Sequence, residues 1–154
     1  MKIDENRLNR RQFLAVSSGC VLGACGGVAR ATTGKLPLVD IGPLTDFAQD
    51  GISEKFINND FFVIRHQGRL FAASTICPHM SNVLRRDPDD QTRIICSRHG
   101  SAFDAEGLAT VGPASSGLIR LGIAVNDKGH VVVNPNQEFP QDKWTDKGSS
   151  IAVK

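Results

Sequence analysis

The chain has 154 residues, 40% of them hydrophobic and 22% charged, with 15 Gly, 7 Pro, one Trp and no Tyr. This composition excludes a disordered, collagen-like or polytopic membrane chain, and the scarcity of Tyr and Trp argues against an aromatic platform for stacking nucleic-acid bases. The formal charge of +2 is uneven: residues 1–31 carry +3 and residues 32–154 carry −1, so no nucleic-acid partner is expected.

At the N-terminus, Asn9-Arg10-Arg11-Gln12-Phe13-Leu14 runs into an uncharged stretch of modest hydrophobicity, 12–29. The Arg-Arg-x-Phe-Leu pattern resembles a twin-arginine (Tat) export signal, with Asn9 where Ser or Thr is common and Ala15 where Lys is common. A helix belonging to the fold is disfavoured here, because Gly19, Gly23, Gly26 and Gly27 would each cost about 1 kcal/mol in its interior. Three outcomes stay open. Cleavage at Ala29-Arg30-Ala31 would release the protein. Leu22-Gly23-Ala24-Cys25 resembles a lipobox and would leave Cys25 lipidated. An uncleaved stretch 12–29 would be a membrane tether at the short limit for a span. Residues 1–31 are therefore assigned to signal or anchor, residues 36–135 to the folded domain, and 136–154 to a polar C-terminal tail.

From Leu36 onward the sequence predicts short strands with turn punctuation. Leu36–Ile41 reads as a strand broken at Gly42-Pro43, and Leu44–Gln49 as one helical turn. Phe61–His66 is rich in β-formers, Gln67-Gly68 turns the chain, and Arg69–Thr75 returns as a hairpin. Arg93–Ile95 is another short strand. Ala102–Asp104 and Leu108–Thr110 flank Ala105-Glu106-Gly107 as a second hairpin. Leu118–Asn126 alternates apolar and other residues, Asp127-Lys128-Gly129 turns, and His130–Asn134 returns. In the tail, Phe139 and Trp144 are candidate anchors and Ser150–Val153 a candidate edge strand. With no sustained helical period after residue 31, the fold is expected to be all-β, with long loops at 77–92 and 96–101.

Those loops hold the chemistry. Cys77-Pro78-His79 and Cys96-Ser97-Arg98-His99-Gly100-Ser101 give a Cys-x-His, then sixteen residues, then a Cys-x2-His. Each half puts one thiolate and one imidazole on a tight turn, so two turns facing each other would gather four soft or borderline metal ligands. A Cys77–Cys96 disulfide would leave both histidines unexplained. A structural Cys2His2 zinc site would accept the same donors but has no need of the Gly-Ser that follows.

The ligand spacing, Gly100-Ser101 and the downstream Gly112-Pro113-Ala114 together resemble the Rieske iron–sulfur proteins over roughly residues 36–135. The resemblance implies an antiparallel β-sandwich with a cluster-binding subdomain formed by two loops. It also implies one [2Fe–2S] cluster of Rieske type, with Cys77 and Cys96 on the inner iron and His79 and His99 on the outer, electron-accepting one. Replacing two Cys by two His on one iron raises the potential to roughly −150 to +300 mV. By the same resemblance, Ser101 donates a hydrogen bond to a bridging sulfide and Pro113 belongs to a loop over the cluster.

Three positions depart from the family pattern. Asn82 and Arg98 stand where quinol-oxidising members carry a disulfide, and Phe103 stands where a Tyr often hydrogen-bonds a ligand sulfur, so an intermediate potential is expected. Met80 falls at the expected loop tip. Asp87-Pro88-Asp89-Asp90 reads as a solvated loop or a docking surface, and His66 and His130 as solvent-facing or cross-strand residues.

The implied function is one-electron transfer in the periplasm, as a subunit or redox partner of a larger oxidoreductase rather than as a catalyst alone. The partner would be a cytochrome, a cytochrome b-like subunit passing electrons from quinol, or a molybdenum subunit as in arsenite oxidase. A free-standing periplasmic ferredoxin is the alternative. A Rieske oxygenase is disfavoured, because only His66 and His130 remain for a mononuclear iron and no second domain fits in the chain.

Overall fold

The computed structural model describes residues 35–153, so the expected export signal and its alternative outcomes, cleavage, a lipidated Cys25 or an uncleaved tether, lie outside the described residues. The described chain is all-β and antiparallel, in two sheets. The larger sheet contains β1 (Val39–Pro43), β2 (Gly51–Ser53), β3 (Phe61–His66), β4 (Arg69–Ser74), β9 (Arg120–Val125), β10 (His130–Phe139) and β11 (Ile151–Ala152). Its order is β1-β10-β9-β4-β3-β2, with β11 also paired to β4. The smaller sheet, β5 (Arg85–Arg86), β6 (Ile94–Ile95), β7 (Ala102–Phe103) and β8 (Ala109–Val111), is ordered as in sequence.

The β3–β4 hairpin is the centre of the molecule. Gln67 and Gly68 both take positive φ, 47° and 73°, which is the two-residue turn that matches strand twist and pairs His66 with Arg69. Its side chains alternate between two cores. Phe62, Ile64, Phe71 and Ala73 pack with Cys77, Leu84, Ile94, Cys96, Phe103 and Leu118. Phe61, Val63, Leu70 and Ala72 pack on the other face with Ile41, Leu121, Ile123, Val131 and Val133. Period-two alternation thus buries both faces, and each Phe or Ile removed from water contributes about 1.5–3 kcal/mol. The loop cysteines belong to the first core, so the site stands on the hairpin.

The smaller sheet is an excursion between β4 and β9. Ala72 pairs with Leu121 and Ala73 with Arg120, while the Ser74 amide donates to the Ile119 carbonyl at 2.8 Å. The chain therefore leaves and re-enters the larger sheet at one neck. Arg120 locks that neck. Its guanidinium lies 3.7 Å from the Phe71 ring centre and 4.2 Å from that of Trp144, and it pairs with Glu106 at 2.7 Å in the turn before β8. Only 3% of this residue is exposed, and burial holds its pKa below the usual arginine value.

Several elements differ from the sequence expectation. β1 is not broken at Gly42-Pro43. It starts later, at Val39, and runs to Pro43 through a bulge between Asp40 and Gly42, where Gly42 takes φ 103°. β2 and β5 lie where no strand was expected. β10 continues past Asn134 to Phe139 after a register shift between Asn134 and Glu138. The helical turn forms as a 3-10 turn, Leu44–Phe47. The edge strand expected over Ser150–Val153 is present as β11, and Phe139 is buried. Trp144 anchors the C-terminal segment through its indole N–H, which donates to the Leu118 carbonyl at 3.1 Å. Among the described residues, no helix is long and apolar enough to cross a membrane.

Candidate metal centre

Loop 1 joins β4 to β5 and loop 2 joins β6 to β7, and the two are conformational copies. In loop 1 the Cys77 amide donates to the Asn82 carbonyl at 2.8 Å and the Ser81 amide to the Cys77 carbonyl at 2.8 Å. In loop 2 the Cys96 amide donates to the Ser101 carbonyl at 2.8 Å and the Gly100 amide to the Cys96 carbonyl at 3.0 Å. The fourth residue after each cysteine is left-handed: Ser81 has φ 51° and Gly100 φ 78°. Gly100 adopts this freely, whereas Ser81 costs about 1–2 kcal/mol.

This backbone points amides at sulfur. The His79 and Met80 amides favour the ionised Cys77 sulfur, and the Arg98 and His99 amides favour the ionised Cys96 sulfur. Both thiols are free and buried, 1% and 2% exposed, and each influences the other's ionisation. Burial pushes the Cys77 thiol up. Burial acts the same way on Cys96, but the Arg98 amide, the Asn82 side chain, the neighbouring thiol and the His99 amide outweigh it and hold that thiol below its ordinary value.

His79 and His99 are exposed, with ring centres 5.0 Å apart and planes at 81°. The four donors thus form two pairs, sulfur beneath and nitrogen toward solvent. Among the described residues, no three His, Cys, Asp or Glu side chains converge on a single-ion position. A buried sulfur pair under an exposed nitrogen pair fits a binuclear group with chemically different ends.

Ser101 is fully buried, and its Oγ accepts the Ala114 amide at 3.0 Å. That bond occupies a lone pair and leaves the hydroxyl proton to donate elsewhere. The Gly112–Pro113 peptide is cis. Pro113 itself is exposed, and the segment it begins reaches loop 2 through the Ala114–Ser101 bond. Phe103 is buried in the core beside both cysteines and has no hydroxyl to offer.

The remaining candidates lie elsewhere. Asp87 is not part of a solvated loop: it is 4% exposed. The Asp89 amide and the Arg93 guanidinium, the latter at 2.6 Å, hold its carboxyl below the ordinary range. Met80 is 58% exposed beside His79. His66 sits on β3 and His130 on β10. The His130 Nδ1 is 3.0 Å from Asp40, and the Gly42 amide and His130 together lower the Asp40 pKa. The sequence reading took Asn82 only as a lost disulfide position, with no contact of its own. The Asn82 side-chain amide lies 3.7 Å from the Cys96 Sγ, a contact between loops signalled by its place at a lost inter-loop disulfide and by Asn82 and Ser101 each standing five residues after a cysteine.

The sequence profile of the Rieske [2Fe–2S] domain matches residues 38–139. The Rieske iron–sulfur subunit of the cytochrome bc1 complex of Corynebacterium glutamicum is 33% identical over 86 residues, 54% of this chain and 21% of that protein. The corresponding subunit of Corynebacterium diphtheriae is 36% identical over 73 residues, 46% of this chain and 18% of that protein. The chain thus spans about a fifth of the length of these relatives. Among solved structures, a cyanobacterial plasma-membrane Rieske protein from Synechocystis PCC 6803 aligns with TM-score 0.44 and 19% identity, over 62% of this chain and 97% of that one. A chain from the complex of oxygenase and ferredoxin in carbazole 1,9a-dioxygenase aligns with TM-score 0.47 and 21% identity, over 66% and 95%.

Proposed function

As the chain belongs to the Rieske [2Fe–2S] domain family and so carries one such cluster, we propose that Cys77 and Cys96 hold its inner iron and His79 and His99 its outer iron. The observation that carries this assignment is the pairing of two buried thiols beneath two exposed imidazoles on equivalent loops. When bound, the cluster accepts and returns one electron. The chain's own residues set the conditions. Backbone amides of the loop tips favour negative charge on sulfur. The Ser101 hydroxyl, whose oxygen accepts the Ala114 amide, would donate toward the bound cluster. The exposed imidazoles, with Met80 beside them, bring the electron-accepting end to the surface where a partner docks.

The protein acts as a one-electron carrier, a subunit or redox partner of a larger periplasmic oxidoreductase. The similarity to bc1-complex Rieske subunits favours a quinol:cytochrome c reductase-like setting. The missing disulfide positions, Asn82 and Arg98, favour a smaller assembly such as an arsenite-oxidase-like pair. The Arg10-Arg11 motif supports Tat export, which suits a domain whose cluster is inserted before translocation.

Reduction by quinol in a membrane fraction, blocked by a quinol-site inhibitor, is the result expected for the first setting. Co-purification with a molybdenum subunit is expected for the second. Failure of both, with rapid electron exchange with a soluble cytochrome, would leave a free ferredoxin and overturn the subunit assignment.

A further inference from the structure

Ser101 and Asn82 occupy the same place in the two loops, five residues after a cysteine, each with its carbonyl accepting that cysteine's amide. The equivalence carries into their side chains. The Ser101 side chain takes the Ala114 amide on its own side of the site. The Asn82 side chain crosses from loop 1 to loop 2, where its Nδ2 lies 3.7 Å from the Cys96 Sγ and 3.3 Å from its neighbour's carbonyl, that of Val83. A primary amide has two N–H groups, so both contacts are met at once. Asn82 is half-buried, which limits competition from water. Phe103 cannot supply a hydroxyl to a ligand sulfur.

We propose that Asn82 is a positioning residue that ties loop 1 to loop 2 through the Cys96 sulfur and raises the cluster's reduction potential. The inference rests on the assignment of Cys96 as an iron ligand. A donor to a ligand sulfur stabilises the reduced state more than the oxidised one, because the added electron increases negative charge on the sulfurs. Losing the donor therefore lowers the potential. Simply loosening the loop acts in the opposite direction: admitting water to a buried site favours the more highly charged reduced state and raises the potential. The sign of the change separates the two roles.

The test uses Asn82→Leu, which keeps the volume without a donor, and Asn82→Asp, which keeps the shape and replaces the donor with an acceptor. Midpoint potentials are measured by protein-film voltammetry on the iron-loaded full chain, with Fe–S(Cys) stretching bands read by resonance Raman. The expected result is a three- to tenfold shift of the cluster's redox equilibrium toward the oxidised form in Asn82→Leu, a tenfold shift being about 59 mV for one electron. Asn82→Asp shifts further in the same direction, and the Fe–S(Cys) bands change in both variants. Clusters present in both variants at an unchanged or raised potential would overturn the proposal. Loss of the cluster from both would also overturn it, because a residue contributing one hydrogen bond leaves all four ligands in place. An unsubstituted protein without iron would instead reject the ligand assignment beneath it.

Discussion

Arg120→Met tests how the loop-bearing excursion is fastened to the larger sheet. Methionine keeps the unbranched apolar stem and deletes the guanidinium. Two ring contacts are lost, at 3.7 and 4.2 Å, together with the bonds to the Glu106 carboxylate at 2.7 Å and the Glu106 carbonyl at 3.0 Å. Cation–π attraction at a desolvated site is worth about 1–2 kcal/mol, and charge-assisted hydrogen bonds about 1.5–3 kcal/mol. Against this, the buried Arg120 Nε has no partner, and Glu106 is about a third exposed and regains water when released. These offsets, together about 1–2 kcal/mol, leave a net loss of about 1–3 kcal/mol. For a domain of about 120 residues that is roughly 4–12 °C in apparent Tm. Thermal melts should be followed both by far-ultraviolet circular dichroism and by the visible absorption of the cluster. Because the neck holds both ends of the excursion, the visible signal is expected to fall with or ahead of the strand signal. A double-mutant cycle with Glu106→Gln should return a coupling of about 1 kcal/mol. A Tm within about 2 °C of the parent, with zero coupling, would refute the account of the neck.

Three further outcomes follow from the same geometry. Ser101→Ala removes a buried hydroxyl and should lower the midpoint potential by about 45–90 mV, the equivalent of a ~1–2 kcal/mol hydrogen bond for one electron; voltammetry checks it, and an unchanged potential would remove Ser101 from that role. Gly117→Ala places a Cβ 2.7 Å from Trp144 and 3.0 Å from the Gly107 carbonyl, so urea unfolding should show a loss of about 1–3 kcal/mol, with the indole fluorescence shifted as Trp144 is displaced. The Asp87 carboxyl titrates lower in the folded protein than its ordinary 3.8, so the stability it supplies is present above that value and is lost as pH falls through the lower folded one. Asp87→Asn should therefore flatten the acid limb of a stability–pH curve below about pH 4; a limb identical to the parent's would contradict the assignment.

What the sequence revealed follows from how local each signal is. The β3–β4 hairpin was legible because alternation and a Gln-Gly turn are local, and the turn does adopt paired positive φ. The ligand motif was legible because two Cys–His turns at a fixed interval need no tertiary information. β5 was missed because Arg85-Arg86 has no apolar signature. It is a strand only because Ile94 and Ile95 pair with it, and the Arg86 amide also donates to Glu54 at 2.9 Å. Gly42-Pro43 read as a break because the bulge that accommodates it is set by pairing with β10. Asp87 read as solvated because its partner Arg93 follows six residues later, across a turn. Arg120 acts on a residue 14 positions away, at a distance no residue pattern encodes, and Asn82 reads as facing the other loop only through the disulfide position it replaces.

The central claim is that two buried sulfurs and two exposed imidazoles grip a binuclear iron–sulfur core. Low-temperature electron paramagnetic resonance of anaerobically purified, dithionite-reduced protein, with iron and sulfide analysis of the same sample, tests it most directly. About two irons and two sulfides per chain are expected, with a paramagnetic signal that appears on reduction. Cys77→Ser and His99→Ala should abolish that signal, and Ser101→Ala should retain it. A colourless protein holding one zinc and no iron, silent after reduction, would contradict the account.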